Sequence, residues 1–72
     1  MKNLLERLKP EYLELLEEDA IKYPYLVQGI KRDLTDNVSF TNLSIGSALQ
    51  LCTVCKTIMG VTELNNLFEP NE

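Results

Sequence analysis

Apolar residues recur along this chain at helical spacing, and the longest weakly polar stretch is Ser44 to Gly60, SIGSALQLCTVCKTIMG, with Lys56 as its one charge. Its ends and period predict a central helix over about 44–59. Ser44 can cap it, because a serine hydroxyl accepts from the free N–H groups of a first turn, and Asn42 offers the same chemistry. Gly60 can end it by taking the left-handed conformation. On a 3.6-residue wheel Ile45, Ala48, Leu49, Cys52, Cys55 and Met59 share one face, widened by Leu51, Val54 and Ile58. The remaining arc holds Gly46, Gln50, Thr53 and Thr57, none of them charged. A helix without a charged back is either wrapped by its own chain or packed on a second molecule.

The other elements read as cover for it. A short helix is predicted over 4–8, with Asn3 and Glu6 at the spacing of a capping box. Pro10 ends it and opens a second helix to about Lys22, since proline suits the first helical position and keeps Lys9 extended. Tyr12, Leu13, Leu16 and Ala20 form its apolar face, and Glu11, Glu14 and Glu18 the opposite stripe. Leu15 and Ile21 fall off the apolar face, either exposed or covered by the first helix. Glu18 and Lys22 stand at i,i+4 in the favourable order. Pro24 starts a third helix with Leu26, Val27, Ile30 and Leu34 inward, and Thr35-Asp36-Asn37 reads as its stop. Residues 37–43 are expected to form a loop that tucks Phe40 and Leu43 inward. Thr62 is expected to cap a last helix from Glu63 to about Glu69, with Leu64, Leu67 and Phe68 inward.

The pattern therefore predicts an all-α fold: a compact bundle of four or five short helices around a central apolar helix, with residues 1–72 as a single helical domain. Composition agrees. The 72 residues are 44% hydrophobic, enough for a folded domain, and thirteen leucines against four valines favour helix over sheet. A chain this short has a small core and marginal stability.

Charge and residue usage narrow the chemistry. A net charge of −4 disfavours nucleic acid and anionic membrane surfaces as partners. No run nears the roughly 20 apolar residues of a membrane span, and Glu6, Arg7 and Lys9 interrupt any signal-peptide core, so a cytoplasmic location is expected. The chain has no histidine, which removes the commonest general base and metal ligand. Cys52 and Cys55 form a CxxC, but zinc needs four ligands, and only a dimer would supply four cysteines. A redox pair sits at a helix N-terminus, where the dipole favours thiolate. This pair lies inside an apolar helix, so both are expected as reduced packing groups. The acids of the second helix lie on a solvated face, without the pocket that raises a catalytic carboxyl pKa or the glycine loop of a calcium site. No catalytic residue, cofactor or metal is expected.

Two surfaces stand out as partner-binding candidates. Tyr25, Gln28 and Arg32 share the outward face of the third helix, and tyrosine and arginine are enriched where interfaces concentrate their energy. Glu11, Glu14 and Glu18 present an acidic stripe suited to a basic partner. The uncharged strip Gln50, Thr53 and Thr57 is a candidate for self-association as a homodimer. A non-enzymatic protein-interaction module is thus the leading expectation: an adaptor, inhibitor or regulator that binds a partner protein. In size and style the chain resembles phage and mobile-element accessory proteins. The alternative rests on Leu51 to Phe68, read as helix, glycine turn, helix. With Gly60 and Val61 at the turn, this stretch resembles the helix-turn-helix unit of DNA-binding repressors. That resemblance implies a dimeric transcriptional regulator. Lys56 stands where that unit has a small residue and Asn66 where it has a buried aliphatic. The second helix, TELNNLFEPNE, carries three acids and no base.

Overall fold

Prolines and caps divide the chain into the expected order of elements. The computed structural model describes residues 2–70, and among these it contains five α-helices and one 3-10 turn. They are α1 (Leu4–Arg7), α2 (Pro10–Lys22), α3 (Pro24–Asp36), the turn Phe40–Asn42, α4 (Ile45–Val54) and α5 (Val61–Asn66). Asn3 and Glu6 close the capping box on α1, the Asn3 Oδ1 accepting from Glu6 N–H at 2.9 Å and the Glu6 Oε1 from Asn3 N–H at 3.1 Å. Pro10 and Pro24 each stand in the first turn of their helix. Leu8 and Lys9 are extended between α1 and α2, as a residue before proline prefers. Leu8 uses that extension to pair antiparallel with Phe68.

The core draws on every helix. Leu4, Leu16, Val27, Ile30, Leu34, Leu51, Cys52 and Leu67 are each 2% exposed or less, and among the described residues no polar or charged side chain is buried with them. Leu5, Tyr12, Leu13, Leu15, Ala20 and Phe40 pack against this cluster from its edge, so Leu15 is covered and Phe40 tucks inward as expected. Leu43 is buried beside them. Helices α2 and α3, joined at Tyr23, pack on each other, and both α1 and α4 pack on α3. Lys31 of α3 pairs with Glu17 of α2, an inter-helix contact in place of the expected Glu18–Lys22 pair within α2. The Cα radius of gyration, 10.9 Å, matches the roughly 11 Å that compact chains of this length have.

The structure corrects the central helix in its length and its facing. It ends at Val54, not near Met59. Lys56 takes a left-handed backbone, φ 59°, and the chain closes the helix there. Lys56 N–H donates to Thr53 O at 3.3 Å and Thr57 N–H to Cys52 O at 2.9 Å, the paired reverse bonds of a Schellman cap. Gly60 is therefore not the stop. It is the extended N-cap residue of α5, which begins before Thr62 and ends at Asn66, short of the expected Glu69. Ser44 does cap α4, its Oγ accepting from Ser47 N–H at 3.1 Å.

The buried arc of α4 is Ala48, Leu51, Cys52 and Cys55, with Val54 at its border. Ile45 and Leu49, both expected on the apolar face, are 77% and 54% exposed. Met59 and Ile58 lie beyond the helix and are exposed, and Leu26 of α3 is at the surface as well. The neighbours supply the reason. Packing against α2 and α3 turns the Ala48–Leu51 side inward, and the Ser47 hydroxyl bonds the Asp33 carboxylate of α3, holding that rotation.

The two ends of the described chain are stitched together. Lys9 N–H donates to Leu67 O at 3.0 Å and Glu69 N–H to Arg7 O at 2.6 Å. Leu4 N–H donates to Asn37 O at 2.9 Å, which ties α1 to the end of α3. These bonds bring Leu64, Leu67 and Phe68 over the core despite the brevity of α5.

Candidate interaction surfaces

A helix of known facing sorts the candidate residues directly. Tyr25, Gln28 and Arg32 lie at i, i+3 and i+7 on α3, and all three are exposed opposite Val27, Ile30 and Leu34. Tyr25 is 86% exposed. Ile21, near the end of α2 and across the α2–α3 junction, is 85% exposed, and Tyr23 at the junction is 54% exposed. Three large apolar or amphipathic side chains thus stand in water at one corner, on helices whose other faces are locked in the core. Glu11, Glu14 and Glu18 are likewise exposed along α2. Glu17 differs from them, because Lys31 neutralises it.

Gln50 and Thr53 are exposed on α4, and the Thr53 hydroxyl donates to Leu49 O at 2.9 Å. Thr57 does not continue their stripe, since the reversal at Lys56 takes it off the helix, where it is half-buried. Ile45 and Leu49 take its place on the outward face. They are joined by Gly46, where a Cβ would meet open space. The strip is consequently more apolar than its sequence positions suggested. On a wheel with almost no charged position, rotation alone decided which apolar residues faced out, so no local signal marked Ile45 and Leu49.

The cysteines face the interior. Cys52 and Cys55 are free thiols, 2% and 4% exposed. Burial pushes the Cys55 thiol up to about 11, with the neighbouring Cys52 adding to it. Burial also raises Cys52, and the Glu63 carboxylate adds to that. Both remain protonated at neutral pH, and a thiol without its thiolate is a poor nucleophile and metal ligand. A zinc ion shared across a dimer axis would require the core to open. Among the described residues no three His, Cys, Asp or Glu side chains are grouped to hold a metal ion.

The Leu51–Phe68 segment folds as two helices, but residues 55–60 separate α4 from α5, longer than the three or four residues of a helix-turn-helix turn. The six-residue α5 presents Asn65 and Asn66 to solvent. What sequence reasoning missed lies beside them. Arg7 and Lys9 line a surface hollow together with Asn65 and Asn66, brought there by the stitched chain ends. No helix among the described residues is long and apolar enough to cross a membrane. Compared with protein-family models, curated proteins and solved structures, the chain matches none.

Proposed function

We propose that this chain is a small non-enzymatic interaction module, a cytoplasmic adaptor, inhibitor or regulator that works by occupying the surface of a partner protein. The observation that carries the reading is the apolar corner at Ile21, Tyr23 and Tyr25, 85%, 54% and 86% exposed, beside a core complete without it. Scattered exposed apolar residues are ordinary, but neighbouring ones on a rigid helix corner provide the desolvated centre that an interface needs. Gln28 and Arg32 continue that corner along α3 as polar rim, and arginine there suits a carboxylate of the partner. Glu11, Glu14 and Glu18 add a negative field that speeds encounter with a basic surface. The buried, protonated thiols and the absence of histidine from the sequence support a function without covalent or acid–base chemistry.

The same reading gives α4 a role in self-association. Ile45, Leu49, Gln50 and Thr53 form an outward strip without charge, so two copies of an acidic chain can meet there without opposing like charges.

The test is affinity capture with the wild type beside Tyr25→Ala and Arg32→Glu, each first checked for unchanged helical circular dichroism. One stoichiometric protein partner, lost with both variants, is the expected result. A partner retained equally by all three proteins would take this corner out of the function. Sedimentation of the wild type beside Thr53→Lys over a wide concentration range checks the α4 strip. A dimer that the variant dissociates is expected, and a wild type that stays monomeric throughout refutes it.

A further inference from the structure

The hollow between the first turn and α5 has a volume of about 510 Å³, within the range of small-molecule sites. Arg7, Lys9, Asn65, Asn66, Phe68 and Glu69 line it. Its walls are fixed by backbone: Lys9 N–H to Leu67 O, Glu69 N–H to Arg7 O, and the Leu8–Phe68 pairing. The Arg7 guanidinium is fixed as well. Its Nε donates to Glu69 O at 3.0 Å and its Nη1 to Val38 O at 2.9 Å. Both acceptors are neutral carbonyls, so they orient the group without cancelling its charge. The ion pair formed among the described residues, Lys31–Glu17, is elsewhere. A guanidinium carries five N–H donors, so three of them remain for a ligand.

The other polar groups here have the same character. Lys9 contributes an ammonium, and Asn65 and Asn66 contribute amide N–H donors on an exposed edge. Glu69 is the one carboxylate in the lining. Among the described residues, two cations and one anion line the hollow, a positive balance on a chain of net charge −4. We infer that the hollow binds a small ligand through an oxyanion, a phosphate monoester or a carboxylate. Arg7 is the oriented donor, Lys9 the second charge, and the two asparagines fix the remaining oxygens. The volume exceeds that of a bare oxyanion, so the hollow has room for the body of the ligand as well. The site is independent of the α3 corner and the α4 strip.

Opposite variants on the rim test this. Arg7 ties two segments together, so Lys9→Gln and Glu69→Gln are used, both in side chains that take part in no hydrogen bond or ion pair among the described residues. Amide chemical shifts are followed by NMR at fixed pH and ionic strength during titration with inorganic phosphate in one arm and acetate in the other. Saturable shifts confined to residues 7–9 and 65–69 are expected, and the anion that saturates at lower concentration identifies the oxyanion. Lys9→Gln should weaken binding by roughly 2–5-fold and Glu69→Gln should strengthen it by a similar factor, the size of one solvent-screened charge interaction. Linear shifts without saturation, shifts spread equally to Lys22, Lys31 and Lys56, or the same affinity in all three proteins would overturn the assignment.

Discussion

Two leucines of one helix separate the observed rotation of α4 from the one its sequence suggests. Leu51 is fully buried, at 0% exposed, whereas Leu49 is 54% exposed. Truncating Leu51 to alanine removes its transfer energy and leaves a cavity, a loss of about 2–5 kcal/mol. A chain of 72 residues has a total stability of about 4–11 kcal/mol, at roughly 0.05–0.15 kcal/mol per residue. Leu51→Ala should therefore lower the melting midpoint by about 8 °C or more, at ~4–8 °C per kcal/mol, and a weakly stable parent would unfold. Leu49 already has half its surface in water. Full burial of a leucine is worth about 1.5–3 kcal/mol, so its covered half contributes ~1 kcal/mol, and the better helix propensity of alanine offsets part of that. Guanidinium titration of both variants by helical circular dichroism, with slopes compared, measures the difference directly. Equal midpoints, or a larger loss for Leu49→Ala, would refute the rotation and return Leu49 to the core.

Other consequences follow from single features. Lys56→Gly should stabilise the chain by roughly 0.5 kcal/mol, because it relieves about 1–2 kcal/mol of left-handed strain and loses part of that to the freedom of glycine when unfolded; a destabilised variant in a thermal melt would contradict the Schellman closure. Cys55 favours its protonated form when folded, so stability should be full below pH 9 and fall between about pH 9 and 11, as the unfolded thiol ionises first. Denaturation midpoints across that range, wild type beside Cys55→Ala, check the sign, and a wild type whose stability rises there would refute it. Native protein should also react with a thiol reagent at neutral pH only as fast as it unfolds, and rapid modification of either cysteine would place it at the surface. Lys31→Ala should cost under about 1 kcal/mol and lose that effect in high salt, since the Glu17 pair is partly solvated; a larger, salt-independent loss would mean its alkyl chain packs.

The sequence by itself determined what lies within a helical turn or two. The capping box of Asn3 and Glu6, the prolines that open α2 and α3, the serine cap of α4 and the apolar face of Leu16, Val27, Ile30 and Leu34 are all set by neighbours close in the chain, and the structure has each. The candidate residues on α2 and α3 were legible for the same reason, because a charged or polar stripe opposite an apolar one has a single way to face. On α4 the local pattern was nearly mute. With apolar or neutral residues on every side, facing was decided by contact with α2 and α3 and by the Ser47–Asp33 bond, which turned Leu51 in and Leu49 out. Its end was likewise a tertiary matter. Propensity favours a helix stop at glycine, yet the chain reverses at Lys56, four residues before Gly60, and α5 then lies over the core. The Arg7–Asn65 hollow had no local signal at all. Its residues come from opposite ends of the chain, and only the backbone bonds between 7–9 and 67–69 make them neighbours.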